Sequence, residues 1–425
     1  MSGRGGSGVS IGGGRQAFDS WSLHPAAIDG AALALAFEAA EVPLGAWVVD
    51  PFAGSGRIGT FAVGRGEGYY GIEAHPLFAS LARPKFSRKG QAFQLRFAAQ
   101  EAFDRAQRPT LDLAGEHPLL QRLVPRKQLA ELVALRDASG EDNVWADHLT
   151  LCVLRALRRT SGPGRGRARG PDNQLPRQSP GEMFIACANE MAADLERAPR
   201  EPRAELILGD ARAPEAWTML AALGGAGACV SSPPYLNQLA YIEEARTDLF
   251  FLKQATSWTD LTALGSDLVA SCTQQVKKRR ALGARTLLER RVAVATSVEI
   301  VCRRLERART ARKRGKAYDW LVWAYLADIA AVLSELWNNL RPGAKSAWVV
   351  ADSSFYGIHV DTPSLLSLIA ADIGFEVLTN RWLRQRGRRW AGAAGVDGIP
   401  LSERLLVFRK PPIDSQPELP GFDIT

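Results

Sequence analysis

The sequence predicts an α/β fold, a mainly parallel sheet carrying two mainly helical insertions. Three observations lead to it. Short β-prone runs at 46–50, 68–74, 204–208 and 228–235 alternate with helix-patterned stretches, the order of a parallel sheet. The first run enters Asp50-Pro51-Phe52-Ala53-Gly54-Ser55-Gly56, a glycine-rich turn that lets backbone N–H groups approach a ligand with no Cβ in the way. The fourth stops abruptly at Ser232-Pro233-Pro234-Tyr235, because neither proline has a ladder N–H and each fixes φ.

In chain order, residues 1–14 are Gly- and Ser-rich without an apolar core, so a tail is expected over 1–15 rather than a signal peptide. A helix is expected over 26–40, then the first strand, the glycine turn, a helix from Ile58 and a second strand ending in Glu73. Helical patterns at 128–135, 145–159 and 182–197 follow, broken at 160–180 by a Gly, Pro, Arg and Ser loop. The strand at 204–208 leads to Asp210 and Ala211, and a helix at 242–253 follows the proline turn. The last part reads as a helix over 318–340 stopped by Arg341-Pro342-Gly343, a strand over 345–351, a helix over 363–373 capped by Asp361 and ended by Gly374, and strands at 375–382 and 404–409. The expected division is therefore a frame of 16–82, 203–257 and 317–411, a helical insertion at 83–202 with a basic loop, a basic helical insertion at 258–316, and a tail at 412–425.

The 425 residues are 46% hydrophobic with a net charge of +8, which describes a globular chain with a real core and leans toward an anionic partner. The distribution of charge says more. Lys277-Lys278-Arg279-Arg280, Arg285, Arg290-Arg291, Arg303-Arg304, Arg307, Arg309 and Arg312-Lys313-Arg314 meet only Glu289, Glu299 and Glu306 within that stretch. Such an excess can bind a phosphate backbone, or it can be a solvated helix face. The five cysteines form no metal-type pairs, so no metal is expected. No apolar run is expected to be long enough to span a bilayer; the best candidate, 31–49, is broken by Glu38 and Glu41. A cytoplasmic protein without a membrane partner is the expectation.

Asp50 with its glycine turn, Glu73 and Asp210 stand at strand ends, where α/β sheets bind ligands. The turn lacks the Gly-Lys-Ser/Thr of a phosphate cradle, and an acid at its head would repel a pyrophosphate but attract an ammonium or sulfonium group. Ser232, the Pro233 carbonyl and Tyr235 suit a flat ring bearing an amino group; the bland alternative is a proline turn with a packed tyrosine.

Together these residues resemble the exocyclic amino-group DNA methyltransferases that use S-adenosylmethionine. Residues 50–56 are similar to their cofactor-binding motif I, and Ser232-Pro233-Pro234-Tyr235 to their catalytic motif IV, whose serine-initial form is commonest in the cytosine-N4 branch. Glu73 matches the motif II acid, Asp210 with Ala211 the motif III position, and His24 (with Pro25) motif X. Arg57 stands where the family often has Thr, and motif I precedes motif IV, unlike the permuted order in which this serine form often occurs. The resemblance excludes both insertions. It implies a Rossmann-like class I methyltransferase sheet, S-adenosylmethionine as cofactor, DNA as partner (RNA being possible) and a role in restriction-modification or defence.

The implied chemistry is amine methylation. Ser232 Oγ and the Pro233 carbonyl accept from the amino hydrogens and free the nitrogen lone pair, while Tyr235 stacks on a base drawn out of the duplex. Serine is a weak base and the sequence puts no histidine beside the turn, so the proton is expected to leave after transfer. Asn237 and Tyr241 are candidates for holding the base, and Lys277, Lys278, Arg279 and Arg280 for the phosphates. Cytosine C5 methylation is disfavoured, since no Pro-Cys occurs, and Cys229 is expected to pack in its strand. Cytosine N4 is the first expectation. Adenine N6, an RNA amino group and a non-catalytic nucleic-acid-binding subunit are the alternatives.

Overall fold

The computed structural model describes Phe18, Trp21 and residues 28–87, 92–107, 112–140, 144–161, 178–197, 202–236, 241–386 and 397–413. His24, Asn237, the expected tail at 1–15, all but the first two residues of the expected tail at 412–425, and most of the loop at 160–180 lie outside the described residues.

The chain starts with α1 (Gly30–Ala39), whose first turn is closed by Asp29 Oδ1 accepting the Ala31 N–H at 2.8 Å. Then come β1 (Trp47–Asp50), α2 (Arg57–Gly64), β2 (Gly68–Glu73) and α3 (Pro76–Phe86). Five helices follow: α4 (Ala92–Arg105), α5 (Pro118–Leu123), α6 (Arg126–Ser139), α7 (Ala146–Ser161) and α8 (Pro180–Arg197). The sheet resumes with β3 (Ala204–Leu208), α9 (Thr218–Ala222) and β4 (Ala226–Ser231). After it lie α10 (Tyr241–Phe251), α11 (Trp258–Asp267), α12 (Lys278–Glu289), α13 (Val292–Thr310) and α14 (Tyr318–Asn339). The chain closes with β5 (Leu340–Ala351), a hairpin of β6 (Ser353–Phe355) and β7 (Ile358–Val360), α15 (Thr362–Ile373), β8 (Glu376–Gln385) and β9 (Ser402–Arg409).

Seven strands form one mixed sheet in the order β3-β2-β1-β4-β5-β9-β8, with only the β9 and β8 pairings antiparallel. This mainly parallel α/β sheet is consistent with a Rossmann-like methyltransferase fold. The chain moves outward from β1 to β3, then returns to the other side of β1 at β4, so the order reverses between β1 and β4. Open α/β sheets bind ligands at the carboxyl ends of strands at such a point.

Period-two alternation explains why the strands read as apolar runs. Val48, Ala228, Val230, Val349 and Val407 face α1 and α2, while Val49, Cys229, Trp348, Val350 and Phe408 face the core of α14 and α15. Cys229 is thus fully buried in its strand, and burial pushes its thiol up to about 12.

Several boundaries differ from expectation. The Arg341-Pro342-Gly343 helix stop falls inside β5, where the register against β4 slips between Ala226 and Ala228. Pro342 is tolerated there because a bulge needs no ladder donor. The β6–β7 hairpin, with three residues per strand, is too short to show a period in sequence. The basic stretch 258–316 packs on the core beside the sheet: Val276, Ala284, Leu288, Val298 and Leu305 share one apolar cluster with α14 and α15. The helices α4 to α8 form a second cluster that also takes Phe18, Trp21, the Leu77 and Phe78 face of α3 and the Phe250 and Phe251 end of α10. Trp21 Nε1–H and the Phe18 N–H both donate to Asp194 of α8, at 2.9 and 3.1 Å. Contrary to expectation, α14 is long and apolar enough to cross a membrane by length and composition; here much of it lies in the protein core.

Candidate active site

The carboxyl ends of β1 and β4 are clasped together. Ser231 Oγ–H and the Phe52 N–H donate to Asp50 Oδ1 at 2.6 and 3.1 Å, and Asp50 is fully buried. Burial, partly offset by these donors, raises its carboxyl to about 7. This corrects the expected role. Asp50 does not face the cleft to attract a cationic group; it sits beneath the turn and braces it. Ala53 is likewise buried, its N–H donating to Ile72 O at 3.0 Å. Gly54 and Gly56 take φ of +54° and +79°, a region that disfavours side chains, and a Cβ on Gly56 would lie 3.1 Å from Ala82 Cβ and the Phe86 ring. From below, the buried Lys85 of α3 donates from Nζ to Ser55 O at 2.6 Å. Pro51, Phe52, Gly54 and Ser55 are the turn residues that line a cleft at these strand ends.

Glu73, at the end of β2, lines the same cleft and is tied to the turn. Its Oε2 accepts the Gly54 N–H at 2.6 Å and its Oε1 the His75 N–H at 2.7 Å. A carboxylate has about four acceptor sites, so two remain for a ligand's hydroxyls. Desolvation raises Glu73 to about 7 despite these donors. His75, not singled out from sequence, also lines the cleft, so a histidine does stand near the site. It is stacked on Phe78 with ring centroids 4.4 Å apart, and among the described residues neither ring nitrogen has a hydrogen-bond partner. Burial lowers it to about 4, which makes it a neutral and weak base.

Asp210 and Ala211 line the cleft beyond the end of β3. Asp210 is not free for a ligand alone: Arg212 Nε and Nη2 donate to its two oxygens at 2.9 and 2.7 Å. Arg212 Nη1 continues to Asp328 Oδ1 at 2.8 Å, and Asp328 Oδ2 takes Arg280 Nη2 at 2.7 Å and the Ala270 N–H at 2.8 Å. Arg280 is therefore turned inward as an anchor, where a phosphate contact was expected. Its other guanidinium bonds hold the carbonyls of Ser266, Leu268 and Gln275. The segment fixed in this way supplies Leu268, Val269 and Ser271 as a further cleft wall. Nothing local in the sequence signals that wall, because Asp328 lies far away on α14. Lys277, Lys278 and Arg279 remain exposed.

Ser232 lies at the mouth of the cleft, and its Oγ–H donates to Val349 O of β5 at 3.1 Å. With its proton so used, the oxygen presents lone pairs for an incoming N–H. Pro234 lines the cleft and Pro233 is buried behind it. Tyr241 forms the far side, edge-on to Phe78 at 5.9 Å, and its phenol is raised by burial to about 12. Tyr235 donates from its hydroxyl to Glu403 Oε1 at 2.7 Å. Burial and that carboxylate push its phenol well above the usual range. Among the described residues no cluster of three or more His, Cys, Asp or Glu side chains could hold a metal ion.

Three other arginines of the run pair with acids beyond it, which a reading of the local run could not show, while Arg285 and Arg303 pair with Glu289 and Glu299 inside it. Arg309 pairs with Asp319 at 2.9 Å, Arg304 with Asp397 at 2.6 Å, and Arg291 with Asp372.

No protein-family model matches the chain. Two curated proteins are similar to part of it, each a Type II methyltransferase M.AvaI, from Nostoc sp. and from Anabaena variabilis. Each is 25% identical over 152 residues, covering 35% of this chain and 30% of the relative. The match therefore spans under a third of these relatives' length.

Proposed function

We propose that this chain transfers the methyl group of S-adenosylmethionine to an exocyclic amino group of a base in DNA, cytosine N4 first and adenine N6 second. The observation that carries the reading is one cleft at the sheet's reversal point that collects the glycine turn, Glu73, Asp210 and Ser232 from four strand ends. The partial similarity to Type II methyltransferases supports a DNA-methylating enzyme in general. The choice of base rests on the serine-initial turn.

The residues fit the cofactor. The positive-φ glycine at position 54 leaves its Cβ side open toward the cleft, with only Phe52 O, at 3.9 Å, near an added Cβ. Glu73 keeps acceptor capacity for ribose hydroxyls, and Asp210, whose oxygens already take the Arg212 N–H and guanidinium, would share one of them with an adenine amino group. When bound, S-adenosylmethionine supplies an electrophilic sulfonium methyl. Ser232 Oγ accepts one amino hydrogen, the Pro233 carbonyl accepts the other, and Tyr235 stacks on the ring. Most of the catalysis is then positioning and electrostatics. His75 is a weak base, and Glu73 is tied to the glycine turn and kept for the ribose, so the amine proton departs to water after transfer. His24 and Asn237 keep their proposed roles toward the methionine end and the base. The helices at 83–202 and 258–316 are read as additions to the methylase sheet, the second offering Lys277, Lys278 and Arg279 to DNA, in a cytoplasmic restriction-modification or defence enzyme.

Methylome sequencing of cells expressing the gene tests this. A modified base in a fixed sequence context is expected for the wild type and a reduced level of it for Ser232→Ala. An unmodified genome in both would sink the proposal.

A further inference from the structure

The ring proposed to stack on the target base is already covered. The Arg386 guanidinium carbon lies 5.0 Å from the centroid of the Tyr235 ring. Tyr235 itself cannot turn freely. Its hydroxyl is held by Glu403 Oε1 at 2.7 Å, Glu403 Oε2 is paired with Arg384 Nε at 2.6 Å, and Arg384 reaches Asp29 at 2.9 Å. The backbone of Arg386 is pinned too, its N–H donating to Leu401 O at 2.8 Å just beyond the paired ends of β8 and β9. Tyr235 is also missing from the lining of the cleft, although Ser232 and Pro234 of the same turn are part of it.

A guanidinium is planar, delocalised and weakly hydrated, so it stacks on an aromatic face much as a flat base does. We infer that Arg386 is a base-site residue, occupying the Tyr235 face as a stand-in for a planar, amino-bearing ring and yielding it when that ring enters. The inference rests on the proposal that Tyr235 stacks on the target base. It gives the site two states. With no base bound, Arg386 shields the ring. With a base bound, the tyrosine exchanges one flat partner for another, and the released cation stays near the strand that delivered the base.

Fluorescence titration with short single-stranded oligodeoxynucleotides tests this, one carrying 2-aminopurine and one pyrrolo-cytosine, each beside an abasic strand of equal length. The ratio of base-strand to abasic-strand affinity cancels the phosphate attraction common to both. Arg386→Ala should raise that ratio about 2- to 10-fold, the range set by the strength of an arginine–aromatic stack. Arg386→Lys, which keeps the charge and loses the flat plane, should also raise it. In a Tyr235→Ala background neither change should matter. A ratio unchanged or lowered by Arg386→Ala, a gain that persists without Tyr235, or no binding by any form would each overturn the inference. The titration needs no methyl transfer, so a protein that shows the expected ratios but never methylates DNA would refute the proposed enzyme and leave this base site standing.

Discussion

Glu73 is tied to both halves of the cofactor side of the cleft, because its two oxygens accept from Gly54 and His75 while it faces the cleft. Glu73→Ala would orphan both backbone donors as well as remove the ribose acceptor. Its affinity for S-adenosylhomocysteine, measured by titration calorimetry, should fall about 10- to 100-fold, the cost of one to two such losses; unchanged affinity would remove Glu73 from the site. Residues of this kind were legible in the sequence because strand, turn and acid follow one another closely. Asp50 was legible as a position but not as a role: sequence shows an acid at the head of the turn, not that Ser231 on another strand covers it. His75, Lys85 and Arg386 were missed for the same reason, since each matters through a partner distant in the chain or through burial.

The clasp between β1 and β4 has a pH consequence at the scale of elements. Asp50 and Glu73 are both raised to about 7 by desolvation. The folded protein therefore holds protons that the unfolded chain releases. The associated stability is complete below the ordinary carboxylate range near 4 and is lost as pH rises through about 7. Asp50→Asn keeps the acceptor for Ser231 and Phe52 without the titration. Denaturant midpoints of this variant should gain on the wild type steadily from pH 4 to 8; parallel midpoints would contradict the clasp. The Asp328 network joins α14 to β3 and to the cleft wall in a similar way. Asp328→Ala should cost about 2–4 kcal/mol in denaturant unfolding, since it leaves Arg212 and Arg280 without their shared partner. It should also weaken cofactor affinity through the loosened 268–271 wall. Most element types were readable from alternation and glycine stops. The β5 bulge and the β6–β7 hairpin were not, because pairing with a neighbour, not local pattern, decides them.

Over the whole molecule, the basic stretch separates into two populations. Arg280, Arg291, Arg304 and Arg309 are matched to acids on other elements and serve the fold, whereas Lys277, Lys278, Arg279, Arg290, Arg307, Arg312, Lys313 and Arg314 stay exposed, the first three nearest the cleft wall in sequence. Replacing those three with Ala should lower DNA affinity and reduce the slope of log affinity against log salt by about 2–3, with unfolding midpoints unmoved; an unchanged slope would place the DNA path elsewhere. Composition announced the charge, but only the folded arrangement shows how much of it is neutralised. The most direct measurement is to incubate the purified protein with mixed-sequence DNA and S-adenosylmethionine labelled in the methyl group, then digest the DNA and analyse its nucleosides by mass spectrometry. The wild type should place the label on an exocyclic nitrogen, as N4-methylcytosine first or N6-methyladenine second. Ser232→Ala should still bind S-adenosylhomocysteine but transfer about 10- to 1,000-fold more slowly, as expected for losing one polarising contact. Label on neither nitrogen in any DNA, or an undiminished rate in Ser232→Ala, would contradict the account.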